Sequence, residues 1–173
     1  MTEADRRALA ADISRATRLS GTFILRSGQV SDQYFDKYRF EADPALLARV
    51  AAAMLPLVPA GAQILAGLEL GGVPIATAMS LQSGVRAAFV RKEAKTYGTC
   101  LAVEGSDVAG KRVVMIEDVI STGGAVLDAA VLLRAAGAEI VGVVCAIWRG
   151  AGEPAIVGLN APVSPAFRMA DLP

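Results

Sequence analysis

The sequence predicts an α/β protein built on an open, mostly parallel sheet flanked by helices. Three observations point there. Apolar runs at 63–68, 87–90, 113–116 and 139–147 are short and continuous rather than alternating, as strands buried on both faces are. Segments with helical spacing lie between them, and glycine turns mark the junctions. No linker or internal repeat divides the 173 residues, so one domain over 1–173 is expected.

The chain opens with Thr2 and Asp5 spaced as a capping box, and Leu9, Ile13, Ala16 and Leu19 then recur at helical spacing up to Ser20-Gly21. Strand-like runs at 22–25 and 33–36 are separated by Ser27-Gly28. Asp43-Pro44 joins an N-cap to proline at the first helical position and starts a helix reaching about Leu55. Strand 63–68 turns at Gly71-Gly72 into a helix over 73–81, followed by strand 87–90 and an aperiodic polar segment to 110. Strand 113–116 opens into Glu117-Asp118. A helix over 123–136 stops at Gly137, the residue type that most readily takes the left-handed turn at a helix end, and strand 139–147 closes the pattern.

Composition excludes several functions. Seventeen Lys and Arg balance 17 Asp and Glu, so a charge-driven, non-specific hold on nucleic acid or an anionic membrane is not expected. Without a single histidine, imidazole acid/base chemistry, Ser-His-Asp nucleophiles and histidine-ligated zinc are ruled out. Cys100 and Cys145 are far apart and form no CxxC, which fits a reducing cytoplasm rather than a disulfide framework. The charged N-terminus lacks the apolar stretch of a signal peptide, and the apolar run at 50–62 is broken by Pro56 and Pro59.

The chemistry concentrates at 113–125. A buried strand delivers Glu117 and Asp118 to the end of a sheet where ligands bind, and Val119-Ile120 lead into Ser121-Thr122-Gly123-Gly124-Ala125 at a helix start. Backbone N–H groups and hydroxyls at such a turn cradle phosphate, aided by the helix dipole. The carboxylates suit ribose hydroxyls, or Mg²⁺ held through water. Neither a Walker A loop nor a GxGxxG fingerprint occurs. A second cluster, Arg91, Lys92 and Lys95, lies in the long aperiodic segment. Alone it suits either a solvated loop or a mobile arm whose cations meet a polyanion.

Together these segments resemble the type I phosphoribosyltransferases, whose shared motif for phosphoribosyl diphosphate (PRPP) corresponds to 117–125. Three further segments resemble the orotate branch of that family: S-G-T-F-I-L-R-S-G at 20–28 running on to Q-Y-F-D at 33–36, G-L-E-L-G-G-V-P-I-A at 67–76, and V-R-K-E-A-K-T-Y-G-T at 90–99. The likeness spans about 19–150. It implies the family's open sheet with a small N-terminal hood, and transfer of phosphoribose from PRPP to orotate, giving orotidine 5′-phosphate and diphosphate in pyrimidine biosynthesis. It also implies Mg²⁺ carried mainly by PRPP with no direct protein ligand, and a homodimer sharing the basic loop across subunits.

Residue by residue, the resemblance makes Lys95 the catalytic lysine, acting with Glu117 and Asp118. It assigns PRPP to Arg91, Lys92, Lys95, Gly71 and Gly72, together with Glu117, Asp118, Val119, Ile120, Ser121, Thr122, Gly123, Gly124 and Ala125. Orotate falls to Arg26, Phe35, Ser121 and Arg149. Tyr34 and Phe35 are adjacent on a strand, so one at most faces the pocket unless the backbone twists, and Phe35 is taken as its wall. The chain departs from the family at four places: Tyr97 replaces a histidine, Arg26 a lysine, Gly71 a lysine before Gly-x-Pro, and Glu117 the more frequent aspartate. A sibling enzyme acting on another base, such as a purine, and a non-catalytic PRPP or nucleotide sensor are the alternative readings.

Overall fold

The computed structural model describes residues 1–25, 28–95, 98 and 101–173. Arg26 and Tyr97, two of the departures noted above, therefore lie outside the described residues. Helix α1 (Glu3–Thr17) starts at the expected capping box, with Asp5 N donating to Thr2 Oγ1 at 3.1 Å and the Asp5 carboxylate accepting from Thr2 N at 3.0 Å. It stops earlier than its apolar spacing suggested. Leu19 pairs instead with Tyr34, because β1 (Arg18–Ile24) and β2 (Val30–Phe35) form an antiparallel two-stranded ribbon. A short helix α2 (Tyr38–Ala42) then leads to α3 (Pro44–Met54), whose N-cap Asp43 accepts from Ala45 N and Leu46 N at 2.9 and 3.0 Å.

The main sheet contains β3 (Ile64–Leu68), β4 (Arg86–Val90), β5 (Val103–Gly105), β6 (Arg112–Ile120), β7 (Glu139–Trp148) and β8 (Val163–Arg168), in the order β5-β4-β3-β6-β7-β8. Only β5 is antiparallel to its neighbour. Crossover helices α4 (Gly72–Ser83) and α5 (Gly124–Ala135) connect β3 to β4 and β6 to β7. The order thus runs outward in both directions from the β3–β6 pair, and the crevice beyond the carboxyl ends of these two strands is the place where such sheets bind ligands. The expected open, mostly parallel sheet is the one the chain adopts.

Strand alternation sorts the core into two layers. Val114 and Ile116 of β6 pack with Leu9, Ile13, Val50, Met54 and Ile75 from α1, α3 and α4, while Val113 and Met115 pack with Val126, Ala130 and Leu133 from α5. The strand also runs four residues beyond 116, so Glu117 and Asp118 belong to it rather than to a loop after it. They consequently point to opposite faces of the sheet.

Three elements escaped the sequence reading. β5 is too short to show alternation, α2 is a single turn and a half, and β8 carries Pro165. Proline removes a strand donor and is tolerated at β8 because that strand is an edge. The tail is nevertheless part of the core: Phe167 is fully buried, the Arg6 guanidinium lies 4.8 Å from its ring centre, and Arg6 bonds Asp171 at 2.7 Å. Phe167→Ala is expected to lower unfolding free energy by about 3–5 kcal/mol. Denaturant titration checks this, and a loss below about 1 kcal/mol would show the tail to be peripheral.

Candidate active site

The turn after β6 is shaped by Gly123, which takes a left-handed φ of +82° and ends in α5 at Gly124. A side chain there would meet Ile156 at 2.8 Å as well as strain the backbone. Ser121 and Thr122 are exposed beside it, and Glu117 and residues 119–126 line a cleft of about 220 Å³. The opening turn of α5 has no side-chain cap among the described residues, so its amides face this cleft as an anion cradle.

Below the cleft lies a cluster of buried charge. Asp118 is 0% exposed, and its Oδ2 sits 2.6 Å from Lys37 Nζ, just after β2. Its Oδ1 accepts from Val119 N, and the Glu117 carboxylate accepts from Asp118 N at 2.9 Å. Gly71 rests directly on the Asp118 carboxylate: a Cβ on it would overlap Oδ2 and stand 2.9 Å from Glu41 Oε1. Burial raises the Asp118 pKa, but hydrogen bonds from Glu117 and Lys37 and the charge of Lys37 outweigh it, leaving the carboxyl below its usual range. Burial and the neighbouring Asp118 charge push Glu41 up to about 9, and burial with the Asp118 bond does the same to Glu117. For Lys37, burial is outweighed by its bond and charge contact with Asp118, so its pKa is raised. The cluster therefore holds one ion pair and two protonated carboxyls at neutral pH. Glu117 reaches the cleft; Asp118 is turned into the body of the protein.

The basic loop leaves β4 beside the end of β3. Lys92 N donates to the Glu69 carboxylate at 3.0 Å, and Arg91 and Lys92 share a cavity of about 290 Å³ with Glu69, Ala125 and Asp128. Two of the three expected loop cations thus stand near the phosphate turn. Lys95 does not join them, for its Nζ is paired with Glu104 of β5 at 2.5 Å.

A third cavity, of about 390 Å³, lies under the β1–β2 ribbon, lined among others by Arg18, Gln33, Phe35, Arg149 and Met169. Tyr34 and Phe35 both line it, so the expectation that one at most would face the pocket does not hold. Phe35 pairs with Arg18 and Gln33 with Ser20, while Tyr34 pairs with Leu19 and stacks on Phe23 with ring centres 5.4 Å apart, beside an irregularity in the ribbon register. Arg149 lies 5.7 Å from the Phe35 ring centre, at cation–π distance. Its N–H donates to Ile120 O at 2.7 Å, which fastens the cavity to the start of the phosphate turn at Ser121.

Sequence reasoning passed over Lys37, Glu41, Arg18 and Glu104. Lys37 carried a usable signal, as one of only four lysines and the one placed two residues after Phe35. Glu41 had none, since its burial depends on α2 docking against Gly71.

The phosphoribosyl transferase domain family matches residues 39–159. The orotate phosphoribosyltransferase of Nocardioides sp. is 59% identical over 165 residues, covering 95% of this chain and 92% of that protein. That of Thermococcus gammatolerans is 37% identical and covers 99% and 93%. Among solved structures, orotate phosphoribosyltransferase of Mycobacterium tuberculosis in complex with PRPP superposes with a TM-score of 0.82 at 31% identity, covering 97% of this chain and 98% of that one.

Two outcomes follow from the charge cluster. Lys37→Met leaves Asp118 enclosed without its cation and is expected to cost about 2 kcal/mol at pH 7, with the deficit shrinking in acid as Asp118 takes up a proton. Equal loss at pH 7 and pH 4 in thermal melts would contradict the ion pair. Glu41 keeps its proton when folded up to about pH 9 but loses it near 4.5 when unfolded. The stability tied to that proton is full below 4.5 and is lost as pH rises towards 9. Glu41→Gln removes the loss, so its melting temperature should exceed the wild-type value by several degrees at pH 8 and match it near pH 4.5.

Proposed function

We propose that this chain, which belongs to the phosphoribosyl transferase family, is an orotate phosphoribosyltransferase that moves phosphoribose from PRPP to orotate and releases diphosphate. The observation that carries the reading is the joining of two sites through one hydrogen bond. The Arg149–Ile120 bond sets an aromatic, arginine-bearing cavity next to a helix-terminal anion cradle. A planar anionic base and a sugar phosphate need that juxtaposition if they are to react with each other. The PRPP complex of the Mycobacterium tuberculosis relative supports the substrate.

In this reading the 5′-phosphate sits on 121–125 at the start of α5, and Glu117, which lines that cleft, takes a ribose hydroxyl. Orotate lies against Phe35 with Arg149 at its edge. The base nitrogen gives up its N–H proton, to water or to the departing diphosphate, as it forms a bond to C1′; the C1′–O bond breaks and its electron pair leaves with diphosphate. Arg91 and Lys92 face the growing negative charge, with the Gly71-Gly72 backbone beneath it. Lys95 exchanges Glu104 for diphosphate as the loop closes and excludes water. Asp118 supports the site from below instead of touching ribose, unless Lys37 releases it. Arg26 is assigned to orotate by resemblance alone.

Mg²⁺ fits this site as a companion of PRPP. Glu69 and Asp128, which border the cavity shared with Arg91, Lys92 and Ala125, offer the oxygen donors it prefers, and most of its ligands would come from diphosphate and water. Bound there it would offset the charge of the leaving group. We further take the chain to act as one domain, as a homodimer sharing its basic loop, and in the cytoplasm; no described helix is long and apolar enough to cross a membrane.

Diphosphate release, followed with PRPP, Mg²⁺ and a panel of bases, tests the reading. Turnover with orotate alone is expected. Turnover with purines would make the chain a sibling enzyme, and PRPP binding without turnover of any base would make it a sensor. Lys95→Ala should reduce kcat on the order of a hundredfold while PRPP affinity stays within a few-fold. Unchanged kcat would remove Lys95 from the mechanism.

A further inference from the structure

We infer that Arg18, the first residue of β1, is a specificity-determining residue that grips the carboxylate of the base; this rests on the orotate reading above. Four observations meet here. Arg18 stands directly opposite Phe35 in the ribbon register, so its side chain leaves the same face as the ring and lines the same cavity of about 390 Å³. That cavity is bordered by two guanidinium groups, Arg18 and Arg149, and by no carboxylate among its described lining residues. Positive charge concentrated in a concave, partly apolar space without an acidic partner is suited to an anion. Finally, Arg18 is held in place, because its Nη2 donates to Leu172 O at 3.1 Å.

The last contact gives the C-terminal tail a task. Met169 forms part of the cavity wall, and the carbonyl of Leu172, itself buried, anchors the Arg18 fork. The tail is fixed in turn by Arg6 to Asp171 and by the Ser14 hydroxyl, which donates to the Pro173 carbonyl. A guanidinium tied at one end presents its remaining plane in a set direction, and planar carboxylates are bound bidentately by such a fork. With Arg149 over the Phe35 face, the two arginines have separate roles. Arg149 braces ring and edge, and Arg18 reads the carboxylate that distinguishes orotate from uracil.

The test compares orotate with uracil, which has the same ring without the carboxylate. For wild type, Arg18→Ala and Arg18→Lys, one measures KM for orotate, KM for PRPP and the inhibition constant of uracil against orotate, with thermal melts to check folding. Arg18→Ala should raise KM for orotate about tenfold or more while KM for PRPP and the uracil constant stay within about twofold. Arg18→Lys, which keeps the charge but not the fork, should fall between. If the ratio of uracil to orotate affinity is unchanged in both variants while wild type turns over orotate, the carboxylate role is wrong and the function stands. If wild type does not turn over orotate, the function reading falls and this role with it. Should Arg18→Ala fail to fold, Arg18→Lys decides: a wild-type affinity ratio in that variant overturns the bidentate grip.

Discussion

The site depends on one enclosed carboxylate. Asp118 lies at 0% exposure where three parts of the chain meet: β6 itself, the Gly71 turn after β3, and the hood segment carrying Lys37 and Glu41. A buried carboxylate is costly unless a cation and hydrogen bonds accompany it. That requirement ties the hood to the sheet, since the cation arrives from two residues beyond Phe35. It also dictates glycine at 71, because the carboxylate occupies the space of a side chain. Lys37 brings the cation to this carboxylate, and the turn at Gly71-Gly72 keeps only backbone to offer a ligand.

Much of this arrangement was readable from the sequence, and the reasons for the rest are specific. The motif at 117–125, the Asp43-Pro44 cap and the alternation of strand and helix are local signals, and local signals survive in a linear reading. The pairing of Glu117 with Asp118 as a two-carboxylate ribose clamp depended on where the strand ended. Because β6 continues to Ile120, strand parity sends the two acids to different faces. The same parity applied to Tyr34 and Phe35 allowed only one of them in the pocket, yet both line it, with Arg149 beside the Phe35 ring, because the ribbon register is irregular between Ser20 and Phe23. What no local pattern revealed were contacts across long separations, such as Lys37 with Asp118 and Arg18 with Leu172, and the pairing of Lys95 with Glu104 across the aperiodic loop.

The Lys95–Glu104 pair bears on how the loop works. A lysine aimed permanently at the cleft would add one more like charge beside Arg91 and Lys92 in the absence of any anion. Pairing it with Glu104, in a partly buried contact, lowers that repulsion. An arriving diphosphate carries more charge than one carboxylate and can compete for the lysine. The exchange would make the loop cations converge only when PRPP is present, which limits unproductive capture of other anions.

The absent histidine is compatible with this division of labour. Acidic groups are gathered beneath the cleft, where Glu41 and Glu117 stay protonated and only Asp118 is ionised against Lys37. In the proposed reading, basic groups border the places where substrate charge would lie, at Arg91 and Lys92 for diphosphate and at Arg18 and Arg149 for the base. Displacement at C1′ separates charge, so fixed cations and amide dipoles supply the stabilisation that is needed. A histidine is dispensable when the leaving group is a diphosphate anion: it departs with its electron pair, and its own oxygens, with a last pKa of about 6, or water can take the proton that the attacking ring nitrogen gives up. A chain without imidazole can therefore carry out this transfer, its cations placed by their own anchors: Lys92 N on the Glu69 carboxylate, Arg18 on Leu172 O and Arg149 N on Ile120 O.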